Sequence, residues 1–338
     1  MSYGYHGIIL HADLGSQTFK VETPGENFYR RYTGSSVMAV TYLLKETPAG
    51  LDAFDPRSYL MFFAGIMSGF NAPGLARFVI CGKSPQTGGI GEAICEGPFA
   101  VALKKTGYDG IIIKGACEKP SILVIDNGEY LIEPAEELWG RNVSECEKII
   151  QSRYPGSDTA IIGIAGENLV RFANVICNNT HQASRAGMGA VMGSKNLKAV
   201  VLRGGRLPDT YAPDKIEETN KWFEEKMRNN VLSMWQHNRP GFGVWIHTHG
   251  IDAALCVNNY QTSVCNYTDE YTPEKFDPFY EGEAPCPGCP NNCIKRYATE
   301  GDNELAGGLH QEALGAFGPN LGNPDVEKII KANVLCNE

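Results

Sequence analysis

The chain has 338 residues, 43% hydrophobic and 20% charged, with a formal net charge of −9. That length allows two domains with cores of their own, and the composition excludes disorder for the bulk of the chain. The acidic balance and the lack of a Lys/Arg run argue against a nucleic-acid partner. No apolar run reaches the roughly 18 residues of a membrane helix, and Met1–Leu10 lacks the pattern of a secretory signal, so a cytoplasmic protein with no membrane partner is expected.

Residues 1–207 read as short strands broken by glycine turns. Gly7–Leu14 and Thr18–Glu22 predict a hairpin across Gly15-Ser16, and Tyr59–Ala64 and Arg77–Cys81 are apolar runs of strand length. Glu92–Lys105 has helical spacing. Gly110–Lys114, Ser121–Asp126 and Tyr130–Glu133 predict further strands, the last two joined by the turn pair Asn127-Gly128. Val143–Arg153 predicts a helix with Ser144, Glu145 and Glu147 near its start, where the helix dipole favours acidic groups. Thr159–Ile164, Val170–Ile176 and Leu197–Leu202 complete an α+β fold dominated by sheet.

Pro208 and Pro213 mark a linker, and residues 208–338 predict a second, mainly helical domain. Asp214–Asn230 is amphipathic, with Ile216, Trp222, Phe223 and Met227 on one stripe. Residues 231–285 read as loop-rich, with scattered aromatics and with His247 and His249 as a strand pair that nothing nearby completes into a metal set. Asn323 and Pro324 predict the start of a final helix whose apolar stripe is Val326, Ile329, Ile330 and Val334. That pattern meets no stop signal before Glu338, so the domain is expected to be truncated and the stripe to lack its cover.

Of the eleven cysteines, eight are scattered and read as small buried hydrophobes. The other three, Cys286, Cys289 and Cys293, have the spacing CxxCxxxC in a loop stiffened by prolines and Gly288. One short loop can wrap such thiolates around a single centre. Zinc also accepts cysteine sets but usually as two close pairs, and no second CxxC or HxxxH is present, so the spacing favours an iron–sulfur cluster with its fourth ligand elsewhere.

Two glycine-rich stretches carry positive charge and suit a large anion. Residues 71–97 hold Arg77 and Lys83 among six glycines, and residues 183–198 hold Arg185, Lys195 and Lys198 among three. Neither is a P-loop or a Rossmann fingerprint.

Four segments in order now bear comparison with a known family. GKSPQTGGIGEA, TGYDGIIIKG at 106–115, SRAGMGAVMGSKNLKAV at 184–200 and CPGCPNNC at 286–293 resemble motifs of the aldehyde:ferredoxin oxidoreductases, and the resemblance runs nearly end to end. It implies a β-rich N-terminal base for a tungsten (or molybdenum) bis-pterin cofactor, followed by the start of a helical cluster-binding domain. By the same resemblance Cys286, Cys289 and Cys293 are ligands of a 4Fe-4S cluster. Arg77, Ile94, Glu96, Arg185, Ala186 and Gly187 fall at cofactor-contacting positions. A magnesium bridging the pterin phosphates would take main-chain oxygens of Ile94 and Ala186. Ile94 departs from the family's asparagine, and Glu96 puts a negative charge where a small residue is usual. Glu312, in HQEAL, matches an acidic residue of the substrate pocket, although His310 and Gln311 depart from the usual neighbours.

The activity implied is oxidation of a small aldehyde to a carboxylic acid, with electrons leaving through the cluster to ferredoxin or a similar carrier. A homo-oligomer or a partner subunit is expected. The alternative is a non-catalytic fragment or split subunit that binds cofactor only with a partner chain. Arg77 and Arg185 are expected to face one anion site.

Overall fold

Burial that alternates along some strands and is continuous along others sets the architecture of the first unit. In the computed structural model, which describes residues 3–241, 244–301, 305 and 307–338, β1 (Ile9–Asp13), β2 (Thr18–Glu22), β3 (Leu60–Ala64), β4 (Arg77–Lys83), β5 (Ile90–Glu96) and β6 (Gly110–Lys114) form one sheet in the order β2-β1-β6-β3-β4-β5. A second six-stranded sheet takes β7 (Ser121–Asp126), β8 (Glu129–Pro134), β9 (Asp158–Ile161), β10 (Val175–Cys177), β11 (His181–Ala183) and β12 (Leu197–Arg203) in the order β11-β10-β9-β12-β7-β8.

The helices explain why β3 and β4 are buried on both faces. α1 (Glu26–Arg31) and α2 (Ser35–Glu46) cover the outer face of the first sheet, where Met38, Ala39, Tyr42 and Leu43 pack on Met61, Phe63, Val79 and Cys81. On the inner face, α3 (Pro98–Lys105) contacts both sheets. α4 (Val143–Arg153) opens on a capping box between Asn142 and Glu145, α5 (Ile164–Glu167) packs on α6 (Met188–Gly193), and α6 also contacts both sheets. The main core therefore joins Phe62, Phe78 and Phe99 to Val191, Met192, Val200 and Leu202. A buried ion pair, Lys104 Nζ to Asp109 Oδ1 at 2.6 Å, ties α3 to the N-terminal segment, since Asp109 also accepts from the N–H groups of His6 and Gly7.

The chain divides into two units at Met1–Asp214 and Lys215–Glu338. After α7 (Pro213–Met227), the second unit contains α8 (Val231–His237), α9 (Val244–Ile251), α10 (Pro273–Phe276), a hairpin of β13 (Tyr280–Glu283) and β14 (Lys295–Tyr297), α11 (Gln311–Phe317) and α12 (Val326–Asn337). Two sheets followed by a mostly helical part make the α+β arrangement expected from sequence. Among the described residues no helix is long and apolar enough to cross a membrane.

Several local expectations change. Ile90–Glu96 is a strand, and helix begins only at Pro98, because Gly91, Ala93 and Cys95 turn inward with period two, a pattern that the helical spacing of neighbouring residues obscured. Among its described residues, the loop-rich segment 231–285 also holds α8, α9 and α10. His247 and His249 lie on α9, where residues two apart diverge by about 200°. His247 faces Asp269 at 4.0 Å, while the His249 ring lies against Trp245. The N-cap of α12 is Asp325, which accepts from Lys328 N, two residues beyond the expected Asn323. The stripe on α12 is covered: Val326, Ile329, Ile330 and Val334 are buried in a core with Tyr271, Phe276, Leu309 and Leu314.

Candidate functional site

In the antiparallel pair β4–β5, Arg77 is opposite Glu96 and Val79 opposite Ile94. The bond from Gly97 N to Ala76 O (3.0 Å) sets which residues exchange hydrogen bonds across the pair. Because bonded and non-bonded pairs alternate, Glu92, Ile94 and Glu96 direct their N–H and C=O groups away from β4. β5 is the edge strand of its sheet, so the Ile94 carbonyl points out of that edge beside an exposed side chain. Arg77 is exposed at the same end and, among the described residues, is in no ion pair.

The stretches 71–97 and 183–198 meet at the other end of this pair, where Lys83 is opposite Ile90. Ser84 Oγ donates to Ala186 O at 2.9 Å and accepts from the N–H groups of Gln86 and Thr87, fastening one loop to the other. At the far end of β5, the buried His181 ring lies so close to Gly97 that a Cβ there would sit 2.8 Å from it. The Thr180 hydroxyl donates to Asn178 O, so His181 Nδ1 donates to Thr180 Oγ1 at 3.0 Å. Ala186 and Gly187 are both left-handed, with φ of 61° and 74°, and lead into α6. Arg185, just before them, is exposed.

Two charges expected at this cradle are elsewhere. Lys195 is buried and donates to the carbonyls of Pro56, Ser58 and Gly115, at 3.3, 2.6 and 3.2 Å. Lys198 is buried too and pairs with Glu167, with a second bond to Arg141 O. Both lysines lock the fold because their four-carbon stems start on β12 or just before it and run inward. Sequence does not reveal that direction.

In the second unit, Cys286, Cys289 and Cys293 occupy the loop between β13 and β14, all half-buried. Ala284 N donates to Ile294 O at the base of the loop, and Cys289 N to Cys286 O within it. Gly288 and Asn292 take left-handed conformations that turn the backbone between the thiols. Among the described residues no three His, Cys, Asp or Glu side chains converge on a single ion position. A one-metal site needs every donor about 2.3 Å from one point. A cluster asks for less convergence, since each thiolate takes its own iron, and an all-thiol donor set fits that chemistry.

Glu312 lies exposed in the first turn of α11. With His249, Cys256, Tyr260 and Ala316 it lines an open cavity of about 470 Å³ within the second unit. Cys256 and Tyr260 had no motif to mark them, and His249 was singled out only as a pair with His247.

Residues 9–204 match the family model described as the aldehyde ferredoxin oxidoreductase N-terminal domain, and residues 218–338 match that described as its domains 2 and 3. The chain belongs to the aldehyde ferredoxin oxidoreductase family. It is 35% identical, over 99% of its length, to the tungsten-containing aldehyde ferredoxin oxidoreductase of Pyrococcus horikoshii, and spans 56% of that relative. It is 29% identical, over 99% of its length, to the WOR-like subunit of an aliphatic sulfonate oxidoreductase of Pyrococcus furiosus, and spans 57% of it. Among solved structures, the active-site complex BamBC of benzoyl coenzyme A reductase with 1,5-dienoyl-CoA superposes with a TM-score of 0.83 at 25% identity, covering 100% of this chain and 53% of that one. This family is one of oxidoreductase enzymes, and the chain spans little more than half the length of these relatives.

Proposed function

We propose that the intact protein oxidises an aldehyde to a carboxylic acid at a tungsten (or molybdenum) bis-pterin centre and passes electrons through a 4Fe-4S cluster to ferredoxin or a similar carrier. The observation that carries this reading is the meeting of the two glycine-rich stretches, through Ser84 and Ala186 O and through Met188, which lies against Gly91. The Ile94 carbonyl at the strand edge and the Ala186 carbonyl would be oxygen ligands for a magnesium that offsets the cofactor's phosphate charge, and a carbonyl has a second lone pair beyond the one Ser84 uses. Arg77 and Arg185 would compensate phosphate charge. Gly187 would let backbone come close.

When bound, the metal–pterin group supplies the two-electron chemistry. Oxidation of an aldehyde with water yields the acid, two electrons and two protons. Glu312, as a carboxylate, would accept one of those protons. Cys286, Cys289 and Cys293 would hold the cluster through which the electrons leave singly.

The test is metal analysis and turnover of the anaerobically purified protein from cultures given tungstate or molybdate. Pterin with one of these metals, iron with equal acid-labile sulfide, and aldehyde-dependent viologen reduction are expected. Glu312→Gln should abolish most turnover and leave the metal content unchanged. Stoichiometric zinc without iron, or no pterin under either supplement, would sink the proposal. A second reading, that the chain acts as a subunit beside a partner, is favoured by the WOR-like subunit and the BamBC complex among its likenesses. Native mass measurement of the protein purified from its source decides it.

A further inference from the structure

A buried cation lies beneath the cysteine loop. Lys295 is fully buried, two residues beyond Cys293, and its Nζ donates to Asn292 O and to Glu283 Oε1, each at 2.6 Å. Asn292 is bonded directly to Cys293, so the ammonium sits against the peptide that carries the third thiol. Gly241 seals it from above: a Cβ at that position would lie 2.9 Å from Lys295 Cγ and 2.5 Å from Cys293 O. The same segment grips the loop from its other side, with His237 Nδ1 donating to Asn291 O at 2.9 Å and Asn291 Nδ2 to Gln236 Oε1 at 3.0 Å. Glu283, across the hairpin from Lys295, keeps a side chain 34% exposed.

We propose that Lys295 and Glu283 set the reduction potential of the iron–sulfur cluster held by Cys286, Cys289 and Cys293. This rests on the cluster assignment above. One-electron reduction adds a negative charge to the cluster. A positive charge held close by in a water-poor setting stabilises the reduced form and raises the potential, and a neighbouring carboxylate opposes it. The two members of the pair are not equal. Lys295 has no contact with solvent, while Glu283 is partly solvated, and a solvated charge is screened more strongly. The lysine therefore outweighs its partner, and its bond to Asn292 O fixes its charge next to Cys293.

The experiment is an anaerobic dithionite titration of the purified holoprotein, monitored by electron paramagnetic resonance, for the wild type, Lys295→Met and Glu283→Gln. Lys295→Met should lower the potential, with the reduced-to-oxidised ratio at fixed potential falling about tenfold, which is about 59 mV for a one-electron couple. Glu283→Gln keeps an acceptor for the lysine and removes the opposing charge, so it should raise the potential by a smaller amount. Opposite signs from two neighbouring substitutions are not produced by general loosening of the loop. Unchanged potentials, or shifts of one sign, with iron and sulfide equal to wild type overturn the inference and leave the cluster assignment standing. A wild type without iron and sulfide overturns the cluster assignment and this inference with it. If Lys295→Met loses its cluster, Glu283→Gln decides alone, and no upward shift overturns the proposal.

Discussion

Gly187→Ala tests whether the backbone at the proposed cofactor cradle needs its missing side chain. A Cβ there would lie 1.9 Å from Arg171 O and 3.1 Å from Pro85 Cγ, so the first gap must open by about 1.5 Å to reach the 3.4 Å of ordinary contact. Arg171 cannot retreat freely. Ala173 N donates to Val170 O and Ala173 O accepts from Gly189 N, which pins that segment against the start of α6. Holding alanine in a left-handed conformation costs about 1–2 kcal/mol, overpacking about 1–3, and a lost backbone bond about 1. The sum is about 3–6 kcal/mol. Gly128→Ala is the control: it too has positive φ, at 96°, but nothing lies within 4 Å of its Cβ, so only the conformational cost of about 1–2 kcal/mol applies. Urea unfolding of the intact protein should place the Gly187→Ala midpoint about 1 M below that of Gly128→Ala. Pterin and metal content should fall in Gly187→Ala alone. Equal midpoints and equal cofactor content in the two variants would refute the argument from close approach.

Two further outcomes follow from burial. Burial pushes the Lys195 ammonium down to about 8, against the opposing pull of Asp55 and Asp13. Between about pH 8 and 10.5 the unfolded chain holds that proton and the folded chain has lost it, so stability should rise with pH across this window, by on the order of 3 kcal/mol at most, in the wild type relative to Lys195→Met. Urea midpoints of both proteins at several pH values check it, and parallel curves would contradict it. Burial also pushes the Cys81 thiol up to about 12 and the Cys146 thiol up to about 11. At pH 8, iodoacetamide with mass spectrometry should label the exposed Cys256 within minutes and leave Cys81 and Cys146 unlabelled until the protein unfolds. Labelling of Cys81 in the folded protein would contradict the placement of β4.

Local chemistry is what the sequence by itself determined. The runs at Gly110–Lys114 and Ser121–Asp126 and the turn at Asn127-Gly128 stand where their residues put them, because a short continuous run of β-branched and apolar residues and a turn preference both act over a few neighbours. The helix Val143–Arg153 does so as well, with its capping residues inside the same short window. The cysteine spacing and the four motifs were legible for a different reason: each is a short contiguous string. Tertiary structure alone decided what depends on residues far apart. It turned Glu92–Glu96 into an edge strand by pairing it with β4, and so aimed the Ile94 carbonyl outward. It drew Lys195 and Lys198 inward to partners up to 139 residues away and withdrew their charge from the cradle. It covered the α12 stripe with Tyr271, Leu309 and Leu314. A side chain's charge is written in the sequence, but whether that charge meets solvent, a ligand or a buried carbonyl is set by what the rest of the chain packs against it.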